Sequence, residues 1–378
     1  TAAQRGALVL NHLPVTALRH QAGQVRGVSA RDAETGESFE MDAACVVNAT
    51  GVWVDGLRQS TRAPGRGPLV TPSQGVHLVV DRAFLPGSTA LMVPKTADGR
   101  VLFAVPWLGK TLLGTTDTPR SDVPVEPRPF AHEVDFILRE AARHLARAPQ
   151  RDDVRSAWVG LRPLVRPPQE AVGSSGPATA TRSISREHTV EVGDDGLVTV
   201  TGGKWTTYRA MAEDVLASCM SRGLLPQRTA EATAHLQLLG APREQRVTRP
   251  GDRASRGCAS PILAASLAQP PGEHLYGSEA ALLAGLPGAQ RALALDAETG
   301  HPVLSEAMVR FAARFEMARS VEDVLARRSR LLFLDARQAA AGADAVAAIL
   351  ADELGPNFDP GASAAAFKGL AEQYARVP

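Results

Sequence analysis

The stretch that most constrains the fold is Gly202-Gly203-Lys204-Trp205-Thr206-Thr207-Tyr208-Arg209, where two adjacent glycines separate a strand pattern from a helix pattern. Upstream, Leu197-Val198-Thr199-Val200-Thr201 alternates apolar and hydroxylated residues, as a half-buried strand does. Downstream, Tyr208, Met211, Ala212, Val215, Leu216, Cys219 and Met220 recur at helical spacing, so one helix face can pack on a sheet. The glycines let the backbone turn sharply or approach a ligand closely. A helix beginning near Thr206 would aim unpaired backbone amides and a dipole end of about half a positive charge beyond the turn, where an anion is favoured. An ordinary strand-turn-helix corner has the same local pattern, so its chemistry must be argued from the rest of the chain.

Gly202 to Arg209 is similar to the Gly-Gly-Lys-x-Thr-Thr-Tyr-Arg signature of the FAD-dependent glycerol-3-phosphate dehydrogenases, in which the helix start faces the flavin. Asn48-Ala49-Thr50-Gly51-Val52-Trp53-Val54-Asp55 resembles the second flavin-contacting turn of that family. Gly160-Leu161-Arg162-Pro163-Leu164 and Ser185-Arg186-Glu187-His188 resemble its substrate-site arginine segments, and Ser73-Gln74-Gly75-Val76-His77 and Gly114-Thr115-Thr116-Asp117 also fit. The motifs run in family order from about Asn48 to Arg209. Val52 stands where the family usually has proline and Trp205 where it usually has leucine. The bulk of Trp205 beside the flavin bears on cofactor fit and oxygen access.

A chain of 378 residues has room for two or three domains, each with a core. Its 41 basic residues against 40 acidic ones leave no excess to neutralise a phosphate backbone, which argues against a nucleic-acid partner. Cys45, Cys219 and Cys258 are few, odd in number and widely spaced, suggesting neither a disulfide framework nor a metal cluster, and a reducing compartment is the simplest reading. No apolar run approaches the roughly 18 residues of a spanning helix, and no signal-peptide pattern opens the chain.

Taken in order, Ala7 to Val15 and Val25 to Ala30 read as strands, and a polar turn at Ala33 to Glu37 leads into a strand at Ser38 to Asp42. Cys45-Val46-Val47 reads as a short buried strand ending at the small-residue turn Asn48 to Gly51, with a weak helix from Trp53. Between Gly75 and Asp117, Val76 to Val80, Leu91 to Val93, Val101 to Val105 and Thr111 to Gly114 suggest an antiparallel sheet. Val134, Ile137, Leu138, Ala141 and Leu145 make an amphipathic helix. Pro167 to Ala180 reads as a loop, and Ser183 to Val192 pairs with Leu197 to Thr201 through Asp194-Asp195-Gly196. Pro242 to Gly272 is Pro-, Arg- and Gly-rich and reads as a connection. Helical patterns follow at Glu279 to Leu286, Glu306 to Phe315, Val321 to Phe333 and Ala343 to Leu354, and Ala339-Ala340-Ala341 reads as helix-favouring filler.

The fold class expected is α+β (α/β): a partial FAD/NAD(P)-binding domain with an antiparallel substrate-cap sheet, followed by a C-terminal helical domain. The expected divisions are 1–225 for the oxidoreductase domain, with its cap sheet at about 70–195, then 226–275 as connection and 276–378 as the helical domain. The string Gly-x-Gly-x-x-Gly does not follow any strand pattern here. The resemblance implies such a fingerprint near a family member's N-terminus, so this chain is expected to lack that part and to bind FAD weakly or not at all by itself.

Oxidising a secondary alcohol with a flavin takes cations to hold an anionic substrate, a base for the hydroxyl proton and a flavin to take the hydride. Arginine forks match phosphate oxygens with paired hydrogen bonds, which suits Arg162 and Arg186. His77, in an apolar strand after Gly75, is a residue type whose unperturbed pKa of about 6.5 lets it accept a proton, and it is the leading base, with Arg162 able to hydrogen-bond a developing alkoxide. Lys204 reaches toward substrate or flavin from a helix start whose dipole disfavours it, which suggests a nearby anion. The resemblance assigns Ala49, Thr50, Gly51, Gly202, Gly203, Lys204, Trp205 and Thr206 to the flavin. It further implies sn-glycerol 3-phosphate as substrate, dihydroxyacetone phosphate as product, a quinone as acceptor, and a cytoplasmic protein peripheral to the inner face of the cytoplasmic membrane. A related flavin oxidase, using oxygen or an amino acid substrate, and a chain unable to hold FAD stay open at this point, as does the oligomeric state.

Overall fold

The computed structural model describes residues 1–60, 67–96, 99–166, 187–228, 233–241 and 267–378. Its first elements are β1 (Val15–Gln21), β2 (Gln24–Arg31), β3 (Ser38–Asp42), β4 (Val47–Asn48), α1 (Val54–Gln59) and β5 (Val70–Asp81). Then come β6 (Leu91–Val93), β7 (Leu102–Trp107), β8 (Lys110–Gly114), β9 (Thr118–Pro119), α2 (Ala131–His144) and β10 (Ser156–Val165). After β11 (His188–Val192), β12 (Val198–Gly202) and α3 (Tyr208–Ser221), the chain continues through α4 (Ala280–Ala284), β13 (Ala292–Leu295) and β14 (Pro302–Ser305). It ends with α5 (Glu306–Phe315), α6 (Leu331–Leu334), α7 (Ala336–Leu354) and α8 (Pro360–Ala375). The mixed sheets and helices match the expected class.

Contacts divide the chain into two compact units: Thr1–Gly75, Asp117–Pro127 and Gly160–Gln237 in the first, and Val76–Thr116, Arg128–Val159 and Leu238–Pro378 in the second. In the first unit β1, β2 and β3 form an antiparallel meander. The expected strand at Ala7 to Val15 is not there: pairing begins only at Val15, opposite Ala30, and Leu8 is 82% exposed. The register is set instead by the two-residue turn Ala22-Gly23, both at positive φ, the geometry that matches strand twist in a tight hairpin.

The second sheet of this unit has the order β11-β12-β4. β11 and β12 pair antiparallel through the expected turn, while β12 and β4 run parallel, with Val198 opposite Val47 and Thr199 opposite Asn48. Val215 and Cys219 of α3 pack on buried Val198, whereas Leu216 and Tyr208 face outward, so the packed stripe is narrower than the sequence pattern suggested. Cys45 and Cys219 meet in this core as free thiols with their Sγ atoms 3.5 Å apart. Cys258 lies outside the described residues.

In the second unit, β6, β7, β8 and the Val76–Asp81 part of β5 are antiparallel neighbours, as the sequence led one to expect. Val76, Leu78 and Val80 point to a core shared with Val134, Ile137 and Ala141 of α2. Trp158 to Leu164 belongs to β10. The expected loop at Pro167 to Ala180 and most of the connection at Pro242 to Gly272 lie outside the described residues.

The helices after Glu306 build a further core in the same unit. Ser305, Asp335 and Asp359 each accept the backbone N–H of the third helical residue, which fixes where α5, α7 and α8 begin. Val321 to Phe333 is not one helix but a π-turn segment at Asp323–Arg328 followed by α6. Ala339 is fully buried together with Ala343 and Ala347 of α7 and Ala364 and Ala371 of α8. Of the Ala339-Ala340-Ala341 patch only Ala339 packs, while Ala340 is half-buried and Ala341 exposed, so the patch is helical as expected and its buried member lets two helix backbones come close.

Candidate functional site

In the first unit the two turns expected to meet a flavin leave the same end of the parallel pair β4 and β12. Open α/β sheets bind ligands beyond the carboxyl ends of their parallel strands. Asn48 is buried and organises the first turn: its Nδ2 donates to the Val54 carbonyl at 2.9 Å, and its Oδ1 accepts the Thr50 hydroxyl at 2.8 Å. Thr201 Oγ1 then donates to the Gly51 carbonyl at 3.2 Å, tying the first turn to the end of β12. Ala49 and Thr50 are left exposed on the outer side.

The second turn needs its glycines for different reasons. Gly202 has φ 78°, and a Cβ there would stand 2.7 Å from the Glu187 carbonyl oxygen and 2.7 Å from Val165 Cγ2. Gly203 has φ 73°, and its Cβ would meet Met211 Sδ at 2.8 Å and His188 Cβ at 3.0 Å. The chain then extends at Lys204 and enters a single 3₁₀ turn, Trp205–Thr207, that runs into α3. No side chain caps this start, so its first amides stay available to a ligand. Trp205 is 86% exposed and stacks on Tyr208, with ring centroids 5.6 Å apart. Lys204 is exposed and its ammonium has no ion pair among the described residues.

Two further residues of the matched motifs turn out to brace this region. His188 Nε2 lies 2.7 Å from Asp214 Oδ2, linking the start of β11 to α3 beneath the glycine turn. Asp55 accepts the Leu69 and Val70 amides and pairs with Arg58, which in turn holds Glu191 of β11 in a fork at 2.9 and 3.0 Å. These carboxylates hold the Arg58 guanidinium charged despite its burial, which alone would act the other way.

Arg162 stands in the Gly160–Val165 part of β10 with its guanidinium 3.7 Å from Asp117 Oδ1. Asp117 also accepts the hydroxyl of fully buried Ser73. Next to them Arg120 grips Asp122 with both arms and donates to buried Gln74 at 2.5 Å. Ser73, Gln74 and Asp117 lay in motifs noted from the sequence, but their pairing with the Arg162 region has no local signal, since it joins segments distant in the chain. Arg186 lies outside the described residues.

His77 belongs to the second unit. It is half-buried in an otherwise buried run of β5 and stacks on Trp158 with ring centroids 4.3 Å apart and planes 18° apart. Its Cα partner on β8 is Gly114, where a Cβ would fall 2.6 Å from the imidazole, so the glycine makes room for the ring. The neighbouring Val76 amide donates to Thr116 Oγ1 at 3.0 Å, and that hydroxyl donates to buried Glu133 at 2.9 Å. Sequence reasoning did not assign this brace.

The donor set of the first unit fits the cofactor expected there. Left-handed glycines allow close backbone approach, an uncapped helix start offers amides to an electron-rich ring edge, and an exposed cation stands beside both. Among the described residues no group of His, Cys, Asp and Glu has the arrangement of a metal site, and no helix is long and apolar enough to cross a membrane.

Comparison with known proteins adds to this geometry. A family model described as FAD dependent oxidoreductase matches residues 1–209, and one described as the C-terminal domain of alpha-glycerophosphate oxidase matches residues 231–358. The mitochondrial glycerol-3-phosphate dehydrogenase of Arabidopsis thaliana is 39% identical over 368 residues, covering 93% of this chain and 56% of that protein. The mitochondrial enzyme of Schizosaccharomyces pombe is 34% identical over 393 residues, covering 94% of this chain and 59% of its own length. This chain thus spans somewhat more than half the length of these relatives. A glycerol-3-phosphate dehydrogenase from Bacillus halodurans, solved in complex with FAD, superposes with a TM-score of 0.74 at 28% identity, covering 100% of this chain and 71% of that one.

Proposed function

The chain belongs to the FAD-dependent glycerol-3-phosphate dehydrogenases, within the FAD dependent oxidoreductase family, and on that premise we propose that the whole protein oxidises sn-glycerol 3-phosphate to dihydroxyacetone phosphate and delivers the electrons to a quinone. The observation that carries the reading is the pair of turns at the ends of β4 and β12, joined by the Thr201 to Gly51 hydrogen bond. Ala49, Thr50 and Gly51 on one side, and Gly202, Gly203, Lys204, Trp205 and Thr206 on the other, are the residues that would hold FAD. When bound, FAD supplies the ring that accepts a hydride.

The chain's own residues supply the remaining work. Arg162 and Arg186 bind the phosphate, with Asp117 fixing the approach of the Arg162 guanidinium. Lys204 adds a third cation, and the uncapped helix start would offer its amides to an electron-rich edge of a bound flavin. His77, stacked on the Trp158 ring in the second unit, is the base candidate that the motif resemblance supplies. A quinone acceptor dissolves in lipid, which goes with peripheral attachment to the cytoplasmic membrane from its inner face.

The match to an oxidase C-terminal domain favours a second reading in which oxygen is the acceptor. The test is steady-state oxidation of glycerol 3-phosphate with a soluble quinone analogue, with and without oxygen. Arg162→Ala and Arg186→Ala should each raise KM by roughly 10- to 100-fold, the worth of a lost charge-assisted hydrogen bond. His77→Ala should instead lower kcat, by about 10²- to 10⁴-fold. An unchanged KM in both arginine variants, or turnover of glycine in place of glycerol 3-phosphate, refutes the substrate, and oxygen consumption without quinone reduction refutes the acceptor.

A further inference from the structure

We propose that Cys45 and Cys219 are a covalent modification site: exposed to a hydroperoxide, they form an intramolecular disulfide that staples the lead into β4 to α3. The two residues are 174 positions apart, yet their sulfurs sit 3.5 Å from one another. A disulfide needs about 2.05 Å, so the sulfurs must close by about 1.5 Å, a distance of the order that side-chain rotation supplies. The pair is asymmetric in the way a two-step oxidation requires. Cys45 is half-buried and reachable, whereas Cys219 is fully buried behind it with Val198 and Val215. Burial first, and then its contact with Cys219, pushes the Cys45 thiol up to about 12, so it rests protonated and reacts slowly through its small thiolate fraction, which is why excess peroxide is needed.

The chemistry balances with the peroxide as oxidant. The Cys45 sulfur attacks one peroxide oxygen, the O–O bond breaks, and the departing hydroxide leaves as water with the thiol proton. Cys45 is then a sulfenic acid. The Cys219 sulfur attacks it, the S–O bond breaks as the S–S bond forms, and a second water leaves carrying the Cys219 proton. Two thiols are oxidised and one peroxide is reduced to two waters. The product ties together the elements that carry the Asn48–Gly51 turn and the Gly202–Thr207 turn, so oxidation fixes the spacing of the cradle whatever it binds. None of this depends on the function proposed above.

The experiment treats the full chain with excess hydrogen peroxide, removes it with catalase, alkylates under denaturing conditions and counts the remaining thiols by mass. The expected result is a fall from the three cysteines of the sequence to one free thiol, Cys258. The Cys45 and Cys219 peptides should be cross-linked, and dithiothreitol should reverse the change. Cys258→Ser should cross-link as the parent does, and Cys219→Ala should instead yield a dimedone-reactive sulfenic acid at Cys45. The oxidised chain should also unfold at higher urea, because the link closes a long loop in the unfolded state. Three surviving thiols, a cross-link to Cys258, or over-oxidation of Cys45 with Cys219 untouched each overturn the site, and an unchanged urea midpoint overturns the staple.

Discussion

Replacing Gly202 by alanine should destabilise the first unit by about 2–5 kcal/mol. Two effects add. The backbone at Gly202 has φ 78°, and holding an L-residue there costs about 1–2 kcal/mol. The new methyl would also lie 2.7 Å from a carbonyl oxygen of the backbone and 2.7 Å from Val165 Cγ2, and a backbone neighbour cannot swing aside. Relieving such an overlap costs about 1–3 kcal/mol. Gly51 provides the control, because it has φ 64° but nothing within 4 Å of its would-be Cβ. Gly51→Ala should therefore lose only the backbone component, about 1–2 kcal/mol. Gly203→Ala should fall between them, since the nearest atom its methyl meets is the sulfur of a flexible methionine.

The assay is urea unfolding followed by far-ultraviolet circular dichroism and by tryptophan fluorescence, with the first unit's transition fitted separately. At a slope of about 2 kcal/mol per molar, Gly202→Ala should move the midpoint down by about 1–2.5 M and Gly51→Ala by less than about 1 M. Equal shifts for the two variants, or a larger one for Gly51→Ala, would show that crowding at β12 is not what fixes glycine there.

Other substitutions probe the buried polar braces. Arg58→Ala strands Asp55 and Glu191 with one fewer partner, and a loss of about 3–5 kcal/mol in urea unfolding is expected. In the helical core, Arg310 pairs with Glu306, and Arg314 first and then Arg310 pair with Glu353, and these ion pairs hold both carboxyls below their ordinary range. A depressed folded pKa contributes stability above the unfolded value of about 4.3, and this is lost as pH falls through the folded value. The second unit's midpoint should therefore drop as pH falls below about 4.3, and Glu353→Gln should flatten that drop. Ser305→Ala removes the oxygen that accepts the Met308 amide at the start of α5, and a cost of about 1 kcal/mol is expected by the same assay.

What could be read from the sequence was whatever a local pattern encodes. The alternation at Leu197 to Thr201 shows because one face of β12 packs on α3, and the paired glycines show because glycine takes positive φ at the least steric cost. The hairpin of β1 and β2 stayed hidden because its turn uses Ala22 at φ 50°, a residue that carries no turn signal. The Ala7 to Val15 run misled for the opposite reason: it is apolar, but its strand ladder begins only at Val15, and before it His12 and Pro14 accept single backbone bonds, from Ala33 and Arg31. Helix α8 was missed because its alanines blur the apolar stripe, although Ala364, Phe367 and Ala371 are spaced for one face. The Thr116 to Glu133 brace and the Cys45 to Cys219 contact join residues 17 and 174 positions apart, and no window of sequence contains such pairings.

Within the resembling motifs, the structure separates two kinds of residue by where their polar groups go. Asn48, Asp55 and His188 direct theirs inward, each hydrogen-bonded to a neighbouring element. Lys204 does not: it is exposed at a helix start whose dipole opposes its charge, with no ion pair among the described residues. A position kept for the fold and one kept for a ligand should therefore answer substitution differently. Asn48→Ala removes the buried clamp of the first turn and should cost about 1–3 kcal/mol of stability. Lys204→Ala should leave urea unfolding within about 0.5 kcal/mol of the parent, as exposed substitutions do. The same variant should weaken capture of an anionic ligand, read as a loss of flavin fluorescence quenching on titration with FAD or as a rise in KM for glycerol 3-phosphate. A Lys204→Ala protein that is clearly less stable, yet unchanged in both binding readouts, would place this lysine among the structural residues and remove it from the site.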